Sequence, residues 1–260
     1  MYRLEREDFV KSPYILLWSV LGFQAGFINA FGFLAFGRYV SHVTGFGTQI
    51  GVALAEKRPF FALELLGFPF FFIVGSFFNG LITSARLERG LKPRYDLVTL
   101  LLPTLMMILM FFGTQGLFGV FGESLIGQRD FVLLFLLSFI CGMQNGCFAT
   151  MTKGQIRTTH LTGISTDIGT DLARLWFGKI TGTERSLTQR TNYSRFATFT
   201  FFAMGSIVSV LVSERYGFLA MGIPLLTSLF IFFSVRKISV ILDDRTKPSK
   251  PAQSFQSVTV

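Results

Sequence analysis

The sequence predicts an all-α integral membrane protein: six transmembrane helices and two short re-entrant or broken helices, arranged as an inverted 3+3 repeat. Three observations carry that prediction. Half of the 260 residues are hydrophobic, with 33 Phe, and only 15% are charged, which is more apolar surface than a soluble core of this length could hide. Six runs are long and apolar enough to cross a bilayer as helices. A motif that begins with His occurs twice and accounts for both histidines of the chain.

The first 13 residues mix Arg3, Arg6 and Lys11 with Glu5, Glu7 and Asp8. The run that follows, Tyr14–Phe36, is longer than a signal-peptide core and is not followed by a small-residue cleavage site, so it reads as a retained span. The next five runs are Phe60–Ala85, Leu97–Phe121, Phe131–Met151, Phe196–Ser213 and Tyr216–Val235, and Glu64 is the one charge in any of the six. Backbone polar groups in lipid must be satisfied within the segment, so each run is expected to be helical. Cys141 and Cys147 lie six apart in one span and on different faces of a helix, which argues against both a disulfide and a metal pair. The chain thus divides into a cytoplasmic segment 1–13, a first membrane repeat 14–129, a second repeat 130–242, and a polar tail 243–260 expected to be disordered.

The repeat is explicit in the residues. Gly26-Phe-Ile-Asn29-Ala30 recurs as Gly142-Met-Gln-Asn145-Gly146, and His42-Val-Thr44-Gly45-Phe-Gly-Thr48-Gln-Ile-Gly51 recurs as His160-Leu-Thr162-Gly163-Ile-Ser-Thr166-Asp-Ile-Gly169. Gly75-Ser76 matches Gly205-Ser206. Each half therefore reads as a long helix, a short polar segment and two further long helices. The short segments, Val40–Ala55 and His160–Phe177, are poor lipid-facing spans: the sixteen residues of the first reach roughly 24 Å as a helix and the eighteen of the second roughly 27 Å, against a hydrocarbon core of roughly 30 Å. They read as re-entrant or broken helices buried in protein. With six crossings and a cytoplasmic N-terminus, all 24 basic residues except Arg38, Lys57, Arg58, Arg129 and Arg215 fall on the inside. If the short segments crossed as well, that bias would weaken. Three crossings per half is an odd number, so the second half enters the membrane in the opposite sense and the repeat is inverted.

The paired motifs resemble the two signature regions of the YoaK-like family of bacterial membrane proteins, domain of unknown function 1275. The residues that carry the likeness are Gly26-Phe-Ile-Asn29-Ala30-Phe-Gly-Phe with His42-Val-Thr-Gly45, and Gly142-Met-Gln-Asn145 with Thr158-Thr159-His160-Leu-Thr-Gly163. The likeness spans about Leu16 to Val235. It implies six helices and a transport-related role, and it supplies no substrate. Members commonly carry Asp where this chain has Asn29, so no charge-dependent step is carried over to that position.

Several polar and small residues are singled out by the pattern itself. Gly22, Gly26 and Ala30 in one copy, and Ser138, Gly142 and Gly146 in the other, form small-residue stripes. Each stripe is expected to pack its helix against its own short segment or against its pseudo-symmetric mate. Asn29 and Asn145 sit at equivalent positions in apolar helices and need partners, whether a neighbouring helix or a solute. Inverted repeats place solute sites where discontinuous helices meet near the midplane. On that ground Asn29, His42, Thr44, Gly45 and Thr48, with Asn145, His160, Thr162, Gly163 and Thr166, are the candidate solute-binding residues. The competing reading is that the His and Thr residues merely cap and tie down two short helices. Only the second copy is acidic: Asp167 aligns with Gln49, and Asp171 with Ala53. On a continuous helix His160, Asp167 and Asp171 would share a face. Asp167 is the candidate for proton or cation coupling, as a single acid in an apolar setting, whereas Asp171 is expected to pair with Arg174.

These readings favour a transporter or permease for a small polar solute, with a membrane scaffold or sensor as the alternative and a membrane-embedded enzyme as a lesser one. There is no nucleophile elbow, phosphate-binding loop, catalytic carboxylate pair or zinc signature, so neither enzymatic activity, a metal nor a cofactor is expected. The net charge of +9 fits cytoplasmic loops facing anionic headgroups rather than nucleic acid. The lipid bilayer is the expected partner, a homo-oligomer is left open, and the plasma membrane with both termini cytoplasmic is the expected location.

Overall fold

The computed structural model describes residues 2–123, 128–156 and 159–246, and no strand occurs among them. The long helices are α2 (Ser12–Phe36), α4 (Pro59–Ile82), α6 (Tyr95–Thr114), α7 (Gln128–Met151), α9 (Gly182–Tyr216) and α10 (Gly222–Thr246). Shorter ones are α1 (Arg6–Phe9), α3 (Val43–Ala55), α5 (Ser84–Glu88) and α8 (Leu161–Phe177). Five helical segments are long and apolar enough to cross a bilayer, and the last of them, Gly182–Thr246, runs through both α9 and α10. The chain is a helical membrane protein.

Local chemistry sets the ends. Pro13 lies in the first turn of α2, where its missing N–H costs nothing. Gly37 closes that helix with φ +70° and an N–H that donates to Phe33 O at 2.7 Å. Pro59 opens α4 in the same way. Some boundaries differ from the apolar runs. The run Leu97–Phe121 stays helical only to Thr114, because Gly116 and Gly119 adopt left-handed φ of +78° and +81°. The run Tyr216–Val235 yields a 3-10 turn, Gly217–Met221, before α10 starts. Conversely α9 begins at Gly182, well before the apolar run, since its polar first turns pack on α8 and α1. The expected disordered tail is helical over Asp243–Thr246; the rest of it lies outside the described residues.

The short segments are continuous helices rather than broken ones. Their glycines do not interrupt them: a Cβ at Gly47, Gly51 or Gly169 would meet nothing within 4 Å.

Helices pair across the halves. α2 packs along α9, α4 along α7, and α6 along α10. In the apolar windows of α2 and α7, 67% of residues are buried against 22% in Pro59–Glu88, which makes α2 and α7 the inner helices. Backbones touch at glycines. A Cβ on Gly26 would lie 2.0 Å from the Phe202 carbonyl oxygen of α9, and one on Gly142 would lie 2.0 Å from that of Phe72 in α4. Gly205 and Gly75 complete the contacts from the other side, at 1.9 Å from Phe23 O and 2.0 Å from Phe139 O. The hydroxyl of Ser206 donates to Gly26 O at 3.1 Å and that of Ser76 to Gly142 O at 2.9 Å. The small-residue stripes therefore do not seat their helices on their own short segments or on each other, as the sequence led us to expect. Gly22 faces the Thr198 carbonyl and Gly146 the Asn79 side chain, so each stripe meets the second long helix of the opposite half. Dispersion and close carbonyl contact drive this association, because lipid provides no hydrophobic force between helices.

Candidate functional site

His42 and His160 are the residues immediately before α3 and α8, with matching backbones of φ −94°, ψ 66° and φ −99°, ψ 62°. Each ring folds over the first turn of its own helix. A Cβ on Gly45 would lie 2.6 Å from Nδ1 of His42, and one on Gly163 2.6 Å from Nδ1 of His160. The glycine three residues after each histidine is therefore space for a ring, not a helix break.

The paired asparagines do equivalent work. Asn29 Oδ1 accepts from the Ser41 N–H at 3.2 Å and its hydroxyl at 2.9 Å. Asn145 Oδ1 accepts from the Thr159 N–H at 3.2 Å, while its Nδ2 donates to the Thr159 hydroxyl. Each asparagine ties the entrance of one short helix to the preceding long helix and satisfies a backbone donor that lipid could not. Thr158 of the motif lies outside the described residues.

One cavity of about 770 Å³ joins the two motifs. Its wall includes Ser41, His42 and Thr44 from the first half and Asn145, Thr159, His160 and Thr162 from the second, closed by Phe72 and Ser76 of α4. Among the described residues, no titratable side chain other than the histidines lines it. Both short helices begin at this wall, and neither has a side-chain cap. The positive ends of two helix dipoles are thus directed at one space. Together with hydroxyls and an amide, that wall suits a polar group rich in hydrogen-bond acceptors.

Of the candidate residues, His42, Thr44, Asn145, His160 and Thr162 meet at the cavity, and Gly146 lines it as well. Asn29, Gly45, Thr48, Gly163 and Thr166 are not in its wall. Asn29 is spent on Ser41, Thr166 donates to Thr162 O at 3.0 Å within its helix, and Thr48 is exposed. Sequence reasoning missed Ser41, Thr159 and Ser76. The first two directly precede the histidines in both copies, a signal that was available.

Asp167 is neither alone nor in an apolar setting. It is half-exposed and pairs with Arg195 at 2.9 Å. Its repeat equivalent Gln49 accepts from Arg38 at 3.0 Å, so each copy offers an arginine to this position. Asp171 is buried and holds both Arg174 and Arg195 at 2.8 Å, the structural pairing expected from the sequence. His160, Asp167 and Asp171 do not form one cluster, because His160 precedes the helix and Asp171 turns to α9. Asp167 instead borders a recess of about 120 Å³ with Gly154, Gln155, His160, Gly163 and Ile164. Glu64 lines a separate crevice of about 300 Å³ with Phe131 and Phe135.

No curated protein and no solved structure matches this chain. A family model described as "Protein of unknown function (DUF1275)" matches residues 17–234, which take in both paired motifs and every wall of the cavity, and the chain belongs to that family.

Proposed function

We propose that this protein is a secondary transporter or permease for a small polar solute, with its site in the cavity between the two motif segments. The observation that carries the reading is that one cavity collects the histidine and threonine of both motifs, with Asn145, from segments 118 positions apart. Shared sites at the junction of two repeats are the arrangement that alternating access requires. The solute is a small molecule with acceptor oxygens, recognised by hydroxyls, imidazoles and helix N-termini. In this reading the chain forms six crossings as an inverted 3+3 repeat in the plasma membrane, with both termini cytoplasmic. The reciprocal pairing of α2 with α9 and α4 with α7 supports that symmetry. Coupling to a proton or cation, where the transport is concentrative, runs through Asp167 and its exchange of Arg195 for the coupling ion. No enzymatic step is part of the proposal.

Purified protein in liposomes, screened for uptake of pooled polar metabolites and inorganic ions with and without a proton gradient, tests it. Saturable uptake that His160→Ala or Thr162→Val abolishes is the expected result. Absence of flux for every pool would shift the reading to a scaffold or sensor.

A further inference from the structure

His160 borders both the large cavity and the small recess beside Asp167. On the far side of the recess lies the turn that follows α7, and that turn is held by the N-terminal segment. The Leu4 N–H donates to Met151 O at 2.9 Å, with Leu4 fully buried. Lys153 Nζ contacts both carboxylate oxygens of Glu5 at 2.7 Å. Lys153 has φ +53° and Gly154 φ +82°, and the Gly154 N–H donates to Ala149 O at 2.7 Å, a left-handed closure of α7 that carries the turn to the edge of the recess. Farther along the segment, Arg6 donates to Glu184 at 3.0 Å. Asp8, 3% exposed, is clasped by Arg245 at 2.7 and 3.0 Å and by Lys11 at 2.7 Å. Glu184 also reaches Arg174, the partner of Asp171 on α8. The segment thus straps the ends of α7, α9 and α10 and is linked through Glu184 to Arg174 of α8.

We propose that the recess is one mouth of the cavity, that His160 is its gate, and that residues Leu4–Asp8 form a latch holding the turn Met151–Gln155 across it. This rests on the cavity being a solute site. Freed from Leu4 and Glu5, the turn that closes α7 moves away from His160. The ring then has room to swing off Gly163, and the recess and cavity become one channel.

The test follows access rather than transport. In a background where the buried Cys141 and Cys147 are replaced by Ala, a reporter Ala149→Cys in the cavity wall is exposed to a membrane-impermeant maleimide. The reagent is applied to sealed vesicles on the face that carries the N-terminal segment. Glu5→Lys or Lys153→Glu alone should speed labelling by about threefold or more, the scale of one exposed ion pair. The exchanged pair, Glu5→Lys with Lys153→Glu, should return the rate to that of the unaltered strap. His160→Ala should speed labelling with the strap intact. Raised salt on the unaltered strap should also speed it reversibly, which covers the case of a charge variant that fails to fold. Labelling unaffected by salt and by both single reversals, or an exchanged pair as fast as the singles, would overturn the latch. No solute is needed, so a protein that gates access yet carries nothing would sink the transport reading and leave this one standing.

Discussion

The ring of His160 occupies the space in which Gly163 lacks a side chain, with Nδ1 lying 2.6 Å from where a Cβ would stand. Gly45 and His42 repeat the relationship. Gly163→Ala should push the imidazole away from its helix and into the cavity, leaving fold stability within about 1 kcal/mol because a side chain can yield. Uptake, once a solute is identified, should fall well below that of the unaltered protein. The shift of a ¹³C-labelled His160 ring resonance checks the displacement directly.

At the helix crossings a glycine meets backbone, which cannot yield. Gly26→Ala would drive a methyl into the Phe202 carbonyl and should cost about 2 kcal/mol or more, as overpacking does. Gly51→Ala, whose Cβ meets nothing, should be neutral or stabilise α3 by about 0.5–1 kcal/mol through helix propensity. Thermal unfolding in detergent, followed by circular dichroism, separates the two.

The two aspartates of α8 should divide by role. Asp171, buried between Arg174 and Arg195, is structural, and Asp171→Asn should destabilise the fold by about 2 kcal/mol or more. Asp167→Asn, at a half-exposed site, should fold normally and keep solute exchange but lose gradient-driven accumulation. Accumulation like that of the unaltered protein at every pH would remove Asp167 from the coupling path.

Asp8 anchors the N-terminal segment and responds to acid. The Arg245 guanidinium hydrogen bonds hold its carboxyl well below the ordinary carboxylate range, aided by Lys11 and the Glu5 backbone and opposed by burial. A depressed folded pKa contributes stability that is complete above the unfolded value and is lost only as pH falls through the folded one. Between about pH 8 and pH 5 the Asp8 clasp should therefore hold constant. Asp8→Asn should free the segment across this whole range. Limited proteolysis near Arg6 reports both outcomes.

Sidedness has its own measurement. Single cysteines at Lys92 and Thr183 should label only from the cytoplasmic face in the six-crossing arrangement. Modification of either one from outside intact cells would reject that map.

Much of the architecture was legible because a bilayer leaves the chain few choices. An apolar run of span length must be helical, so α2, α4 and α7 appear nearly where Tyr14–Phe36, Phe60–Ala85 and Phe131–Met151 were expected. Boundaries drifted where glycines turned the chain, as at Gly116, or where a polar helix continued beyond the apolar run, as in α9. In the site, the duplicated His-x-Thr-Gly pattern pointed to the cavity wall. The individual duties of Asn29, Gly45 and Thr48 were not legible, since a polar or small residue in a motif can face a solute or hold its own backbone.

By itself, then, the sequence determined the class, the helices and the two motifs, because those follow from hydropathy along the chain and from self-similarity. Tertiary structure alone decided which helices touch. Gly26 could have met any backbone, and only the crossing with Phe202 shows that each small-residue stripe serves the opposite half. It also decided that Asp167 has a cation beside it and that the N-terminal segment is bound to the turn next to His160. Such contacts join residues far apart in the chain, and periodicity carries information only about near neighbours.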